Sequence, residues 1–475
     1  MSGRRGLSFD EMAVALLFVA VAVGACLTVA QPDTFWNLRA GHDIWRTGHI
    51  PRIDTYSYTA AGRPWPDHEW LWQIGAYALY SAGGFPLLTA AAAVTIVAAV
   101  ALSYALMKGS ARARFALLLL SIPLGSLVWT LRPQLATLLA LPTLTWLLVH
   151  DRVRWLPPLF LLWANVHGGV ALGGGLLIVV WACAWIRARR AGASDADRAR
   201  VRRLGVAVPL CALATAATPL GFRIFPFVLA SEARLRAVGV SEWMPFASGS
   251  SLAIAVWLLV VAFVVVLALR WRSLRDGDWS DWVCVGAALA LLPFALRSGR
   301  HVAPWLLLAP GAASRLLGPA FLRRGPAASA SADHPVLNAA IVAVVGGAAV
   351  AALAVSWALP LPRLGWRPLP DGAIAAVRAC PGPLYNHYNE GGYLLWLVPE
   401  RKVFIDNRQD PYPLPLLLEQ EGVESGRLPH GPLFERFGVR CSFLGTDSPT
   451  VAALAREGWR SLYRDEKWAV QASPP

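Results

Sequence analysis

"QPDTFWNLRAGHDIW", residues 31–45, follows directly on the apolar run 11–30. Asp33 stands where a helix should be leaving a membrane, and Phe35 and Trp36 come immediately after it. An ionisable group at membrane depth is costly and is by default a candidate for function. The reading of the whole chain turns on whether the run before Asp33 crosses a bilayer.

Composition answers that first. The chain has 475 residues, 56% hydrophobic and 15% charged, against about 25% charged in a typical soluble domain. Apolar runs near bilayer length recur up to about residue 358, which predicts a polytopic α-helical membrane protein. Residues 1–30 carry no small-residue cleavage site and more spans follow, so they read as a first transmembrane helix rather than a signal peptide. The net charge of +14 does not point to nucleic acid. Residues 361–475 hold 13 basic and 13 acidic side chains, so the excess lies in the membrane part, as the positive-inside rule produces.

Basic clusters fix the expected orientation. The largest, "RARRAGASDADRARVRR" (187–203), holds seven arginines and is placed in the cytoplasm. Putting every cluster on that side gives eleven spans, near 11–30, 86–107, 113–130, 133–149, 153–164, 168–186, 203–219, 251–269, 280–296, 301–317 and 336–358. The N-terminus is then cytoplasmic and the C-terminus outside. Parity leaves out 67–84, which is Trp/Tyr-rich, follows Pro64 and Pro66, and ends at Gly83-Gly84. It reads as a helix lying in the interface. A first such helix runs over roughly 34–47, with Phe35, Trp36, Leu38, Ile44 and Trp45 as membrane-facing candidates and Gly48 as its stop.

The expected domains are a transmembrane domain, 1–360, with a first outer loop over 31–85, and a small extracytoplasmic α/β domain, 361–475. In the latter "PLYNHY", "KVFIDNR", "VRCSFLG" and "WAVQA" read as strands, "EGGYLLWLV" and "SPTVAALAREG" as helices. Cys26, Cys183, Cys211 and Cys284 fall in apolar spans, whereas Cys380 and Cys441 share the tail and are expected to bond there.

Polar residues gather at the outer ends of these elements. Asp33, Asp67 and Glu69 are the candidate catalytic carboxylates. His42, His68, Arg132, Gln134, Asn165, His167, Glu242, Arg297, Arg300 and His301 are candidates for holding substrate. Each has a plainer alternative: Asp33 and Asp67 as helix caps, Arg297 and Arg300 reaching for headgroups, His167 in a tight turn. Taken together, the carboxylates and arginines suit a reaction on an anionic lipid. One carboxylate accepts a proton from an attacking hydroxyl, and arginines hold a phosphate as it gains charge. No cofactor is assigned. A divalent metal is the one addition that Asp, Glu and His would admit, although no fixed ligand spacing marks a site.

Asp33 after the first span, and "GHIPRIDTYSYTAAGRPWPDHEWL" (48–71) leading to a second interfacial helix, resemble the GT-C superfamily of integral-membrane glycosyltransferases. The resemblance is nearest to its bacterial branch of lipid A aminoarabinose transferases, lipopolysaccharide-core transferases and protein O-mannosyltransferases. Asp33–Gly41, Asp67–Leu71, Arg132–Leu135, Trp163–Gly169, Ser241–Trp243, Tyr388–Trp396 and Val403–Arg408 are similar to motifs shared by a group of bacterial membrane proteins. Two departures stand out: the first-loop acidic pair of many GT-C enzymes is Asp33-Thr34 here, and Asp67-His68-Glu69 replaces the "EKPP"-like segment of the aminoarabinose branch.

The resemblance implies a polyprenyl-phosphate-linked sugar donor, an inverting mechanism, and an envelope glycan, lipid or protein acceptor outside the bacterial inner membrane. Asp406 and Arg408, in the last motif, either line an acceptor cleft or form an internal pair. A lipid-linked sugar transporter and a non-catalytic subunit of a polysaccharide assembly system are the competing classes. A transporter should bury polar groups near the bilayer midplane and show paired repeats, and neither pattern is evident.

The charge argument makes a direct prediction. Reporter fusions at Ala191 and Gly426 should report opposite compartments; the same compartment for both would overturn the eleven-span topology.

Overall fold

The computed structural model describes residues 7–245, 250–317, 334–359 and 364–474. It divides into two compact units, one formed by Met1–Thr28, Thr89–Val228 and Val240–Leu359, the other by Val29–Leu88, Leu229–Gly239 and Pro360–Pro475.

The first unit is helical. Among the described residues of the chain, seven helices are long and apolar enough to cross a membrane: Phe9–Cys26, Trp70–Leu106, Ala111–Val128, Val170–Ala188, Ser251–Arg275, Trp279–Arg297 and Pro335–Ala358. Asp195–Ala216 and Gly221–Ala237 meet the same criteria as a pair bent by 102°. The spans expected at 133–149, 153–164 and 301–317 are shorter helices, Gln134–Val149, Leu156–Val166 and Val302–Leu316. Trp279–Arg297 and Val302–Leu316 are buried along most of their length and make the centre of the bundle. Pro335–Ala358 presents an apolar surface with almost nothing buried.

Charged residues at one end of this bundle pair with each other. Lys108 Nζ lies 2.8 Å from Asp278 and 2.7 Å from Asp281, and Arg315 Nε lies 3.1 Å from Asp281. Asp278 also caps its own helix by accepting from the Asp281 N–H.

The second unit is α/β. Its sheet has the order β1-β2-β4-β3, with β1 Leu384–Asn386, β2 Cys441–Gly445, β3 Arg460–Arg464 and β4 Trp468–Ala472. β1 and β2 are parallel, and the other pairs antiparallel. The helices expected in "EGGYLLWLV" and "SPTVAALAREG" are present as Tyr388–Leu397 and Pro449–Arg456, and β3 is a strand the sequence reading lacked. "KVFIDNR" does not form the expected strand. Its backbone is satisfied otherwise: Asn386 Oδ1 accepts from Phe404 N at 2.9 Å and its Nδ2 donates to Ile405 O at 2.7 Å, while Val403 forms one bridge with Ser57. One side chain therefore does the work of a neighbouring strand.

Two segments of the first loop complete this unit. Pro32–Thr47 is a helix stopped by Gly48 in the left-handed conformation, φ +69°. The helix from Trp70 breaks at Gly83-Gly84, as the sequence suggests. Close packing here needs glycine: a Cβ on Gly41 would sit 2.1 Å from Gln73 O, one on Gly391 2.1 Å from Ile405 O, and one on Gly392 2.4 Å from Pro32 O. Phe35, Trp36, Leu38 and Ile44, expected to face the membrane, are instead buried in protein, and Trp45 alone of the five is exposed. Phe35 meets the rings of Phe85 and Tyr393, and Trp36 meets Trp65.

Cys380 and Cys441 form the expected disulfide, with Cα atoms 5.8 Å apart. It closes a long loop around β1 and β2. Changing both cysteines to Ser should lower the stability of the unit by roughly 2–4 kcal/mol, read as a lower denaturation midpoint of unreduced protein. An unchanged midpoint would show that the cross-link adds nothing.

Candidate functional site

In the helical unit, four sequence-predicted residues come together at helix ends. Arg132 precedes Gln134–Val149, His167 lies between Leu156–Val166 and Val170–Ala188, Glu242 sits in the turn Ser241–Trp243, and Arg300 in the turn Gly299–His301. The two turns are pinned together: Gly299 N donates to Met244 O at 3.0 Å and Ser298 Oγ to Glu242 O at 3.1 Å. Glu242 takes Arg132 on both oxygens, at 3.0 and 3.2 Å, and Arg300 at 2.6 Å. Burial pushes the Glu242 carboxyl up, but the charges of Arg300 and Arg132 outweigh it and hold the group well below the usual carboxylate range. Two guanidinium groups thus share the Glu242 carboxylate.

His167 extends the cluster. Gly169 N donates to its Nδ1 at 3.1 Å and Thr137 Oγ1 lies 2.7 Å from the same nitrogen, so a neutral ring carries its proton on Nε2. Nε2 lies 3.4 Å from Arg300 Nη2. Two donors side by side suit a shared anionic oxygen. Trp163 Nε1 fixes the Thr137 hydroxyl at 2.9 Å. Thr137 is a residue sequence reasoning missed, because a Thr inside an apolar helix carries no signal of its own.

The other candidates in this unit do different work. Asn165 Nδ2 donates to Leu161 O and Ala217 O, and Gln134 Nε2 to Val128 O and Thr130 Oγ1, so both secure backbone turns. His301 packs edge-on against Trp243 and Phe294, and Arg297 is exposed.

In the α/β unit, Asp33 is not a helix cap. The helix begins at Pro32, and Asp33 lies within its first turn, half-buried. Its Oδ1 accepts from Trp36 Nε1 at 3.1 Å and from Asn407 Nδ2. Asn407 comes from "VFIDNR", where sequence reading singled out its neighbours instead. His42 Nδ1 is 3.0 Å from Asp43, itself bound to Arg39 and Tyr56.

Asp67, His68 and Glu69 form a second group, joined by Asp410. Asp67 is not a cap either: its helix starts at Trp70, and its Oδ1 accepts from Gln73 Nε2 at 2.7 Å. Asp67 Oδ2 and Gln73 Oε1 are buried and have no donor among the described residues. Protonating Asp67 would supply the missing donor. Burial pushes its carboxyl up to about 7, against the Gln73 hydrogen bond. Asp410 is likewise pushed up to about 6 by burial, opposed by His68 and Arg234. Burial pulls the His68 imidazole down. Glu69 lies 3.7 Å from His68 Nε2.

Asp406 and Arg408 are wholly buried side chains and line no surface cleft. Arg408 binds Asp406 at 2.7 and 2.8 Å and Asp54 at 2.6 Å, between the rings of Tyr56 and Trp65. The internal pair of the sequence reading is what the geometry builds, with Asp54 as its unforeseen third member. Among the described residues, no group of three or more His, Cys, Asp or Glu side chains is arranged to hold a metal ion.

The fold has known counterparts. ArnT from Cupriavidus metallidurans, bound to undecaprenyl phosphate, is similar at 17% identity over 97% of this chain and 99% of that one, with a TM-score of 0.51. The Archaeoglobus fulgidus oligosaccharyltransferase is similar in its apo form at 11% identity and a TM-score of 0.56. The same organism's AglB, in complex with an inhibitory peptide and a dolichol-phosphate, matches at 10% and 0.55, and each archaeal match covers 91% of this chain and 69% of the other. The chain therefore has the GT-C membrane glycosyltransferase fold and is a multi-pass membrane protein. No protein-family model matches it, and no curated protein sequence does.

Asp67 gives a pH prediction. Its folded pKa lies above the unfolded value of about 3.9, so folding favours the protonated form. Its contribution is present in full below pH ~4 and is lost as pH rises through about 7. The loss approaches roughly 4 kcal/mol at its largest. Asp67→Asn should flatten the fall in melting temperature between mildly acidic and mildly alkaline buffer. Equal slopes for wild type and variant would show that Asp67 is ionised throughout.

Proposed function

We propose that the chain transfers a sugar from a polyprenyl-phosphate carrier to an envelope glycan, lipid or protein acceptor outside the bacterial inner membrane. The observation that supports it most is the cluster of Arg132, Glu242, Arg300 and His167: two arginines against one carboxylate, with a histidine N–H beside them. Such a cluster suits a lipid phosphate, and two of the similar structures hold polyprenyl or dolichol phosphates. The N-terminus would be cytoplasmic and residues 361–475 extracytoplasmic, as the charge pattern implies.

In the proposed reaction the acceptor hydroxyl oxygen attacks the anomeric carbon from the face opposite the phosphate, inverting it. The bond between that carbon and the phosphate oxygen breaks, and the electron pair leaves with the polyprenyl phosphate. Arg132 and Arg300 stabilise the charge gained by the leaving group. Asp33 takes the acceptor proton as general base, its rotamer fixed by Trp36 and Asn407. Asp67, whose carboxyl burial pushes up to about 7, keeps a large protonated fraction near neutral pH and is the weaker candidate for that base and the better one for donating a proton. The proposed domains are a GT-C-like transmembrane domain over 1–360, with a first outer loop over 31–85, and an extracytoplasmic α/β domain over 361–475.

Purified protein in lipid nanodiscs, given a panel of polyprenyl-phosphate sugars, tests this by release of polyprenyl phosphate. Asp33→Asn should slow turnover about 10²–10⁴-fold with its melting temperature unchanged. Arg300→Gln should also slow it. Wild-type turnover by a well-folded Asn variant would remove Asp33 from the mechanism.

A further inference from the structure

The α/β unit carries a cleft of about 540 Å³ that is separate from Asp33 and from the Asp67 group. One wall is the end of helix Pro32–Thr47 and the loop after it. The other is the end of helix Tyr388–Leu397 and residues 399–402. A single phosphate would fill little of this volume, which lies within the usual 300–1,000 Å³ of small-molecule sites.

Its charges do not cancel. Four of its side chains are Arg39, Arg46, Arg401 and Lys402, against two carboxylates, Asp43 and Glu400. Both carboxylates are already engaged. Asp43 binds Arg39 at 2.9 Å and accepts from the Tyr56 hydroxyl at 2.9 Å. Glu400 is 2.7 Å from Arg378, which is not part of the cleft lining. Among the described residues, no carboxylate lies within ion-pair distance of Arg46, Arg401 or Lys402.

Arg401 is held in place by neutral groups. Its Nη2 donates to the carbonyls of Cys380 and Gly382 at 2.9 and 2.8 Å, beside the disulfide. Burial pulls this guanidinium below its usual range, with Glu400 opposing. A partly buried cation positioned by carbonyls gains from an anionic ligand more than a solvated one would.

The rest of the lining identifies the kind of anion. Ile50, Pro51 and Pro399 offer apolar surface on which sugar C–H groups can pack, and Thr55 a hydroxyl for sugar oxygens. We infer that this cleft binds an acidic saccharide, whose carboxylate or phosphate meets Arg46, Arg401 and Lys402 while its ring lies on the apolar wall. Its role as an acceptor site rests on the proposed glycosyl transfer; binding itself does not.

Calorimetry on the full-length protein in phosphatidylcholine nanodiscs tests it without reading turnover. The probes are trigalacturonate, mannose 6-phosphate, neutral maltotriose and inorganic phosphate. At least one acidic sugar should bind, more tightly than maltotriose or phosphate. Arg46→Gln with Lys402→Gln should weaken it about tenfold or more, and added salt should weaken the wild type. The inference fails if neither acidic sugar binds, if maltotriose or phosphate binds as tightly, or if the double variant binds as the wild type does while melting normally. Loss of turnover in Asp33→Asn with saccharide binding intact separates the two readings.

Discussion

The α/β unit is organised around one buried cation. Arg408 has no exposed side-chain surface, and a guanidinium removed from water needs full compensation. Asp406 supplies part of it from two residues away and Asp54 a further part across 354 positions of sequence, while Nη1 has no hydrogen-bond partner among the described residues. Tyr412 donates to Asp406, while Asp54 also accepts from Tyr56 N, Ser57 N and the Ser57 hydroxyl. Removing either carboxylate would strand a buried charge, so the first loop and the tail stand or fall together.

Set beside it, the cluster of the helical unit is balanced differently. Arg408 faces two carboxylates and is closed off from solvent. Arg132 and Arg300 share one, and Glu242 retains about a third of its side-chain exposure. The same residue types serve opposite ends. A group closed off from solvent specifies a fold, whereas one that keeps part of its exposure is open to a ligand. The cleft beside Arg401 belongs with the second kind, because its Arg46 and Lys402 are exposed and its cations outnumber its carboxylates.

The division explains what could be seen in the sequence. Membrane helices declare themselves through length and apolarity, and the break at Gly83-Gly84 and the stop at Gly48 through residues whose backbone freedom is required there. Arg132, Glu242, Arg300 and His167 were legible as ionisable groups beside apolar runs. Pairings across the chain were not. Nothing local shows that Asp54 answers Arg408, that Asn407 reaches Asp33, or that Asn386 takes the place of a strand for "KVFIDNR". The aromatic residues misled for the same reason. Phe35 looks like an interface anchor until Tyr393, from the tail, covers it.

That distance in sequence has a consequence for biogenesis. The first loop leaves the ribosome about 270 residues ahead of the tail that completes its core. At roughly 5–20 residues per second, it waits on the order of 15–50 s with Asp54 lacking Arg408 and the face of Phe35 that meets Tyr393 uncovered. Non-local closure of this kind is slow, and exposed apolar surface invites misassembly meanwhile. The unit is thus finished only after every helix between its two segments has been synthesised.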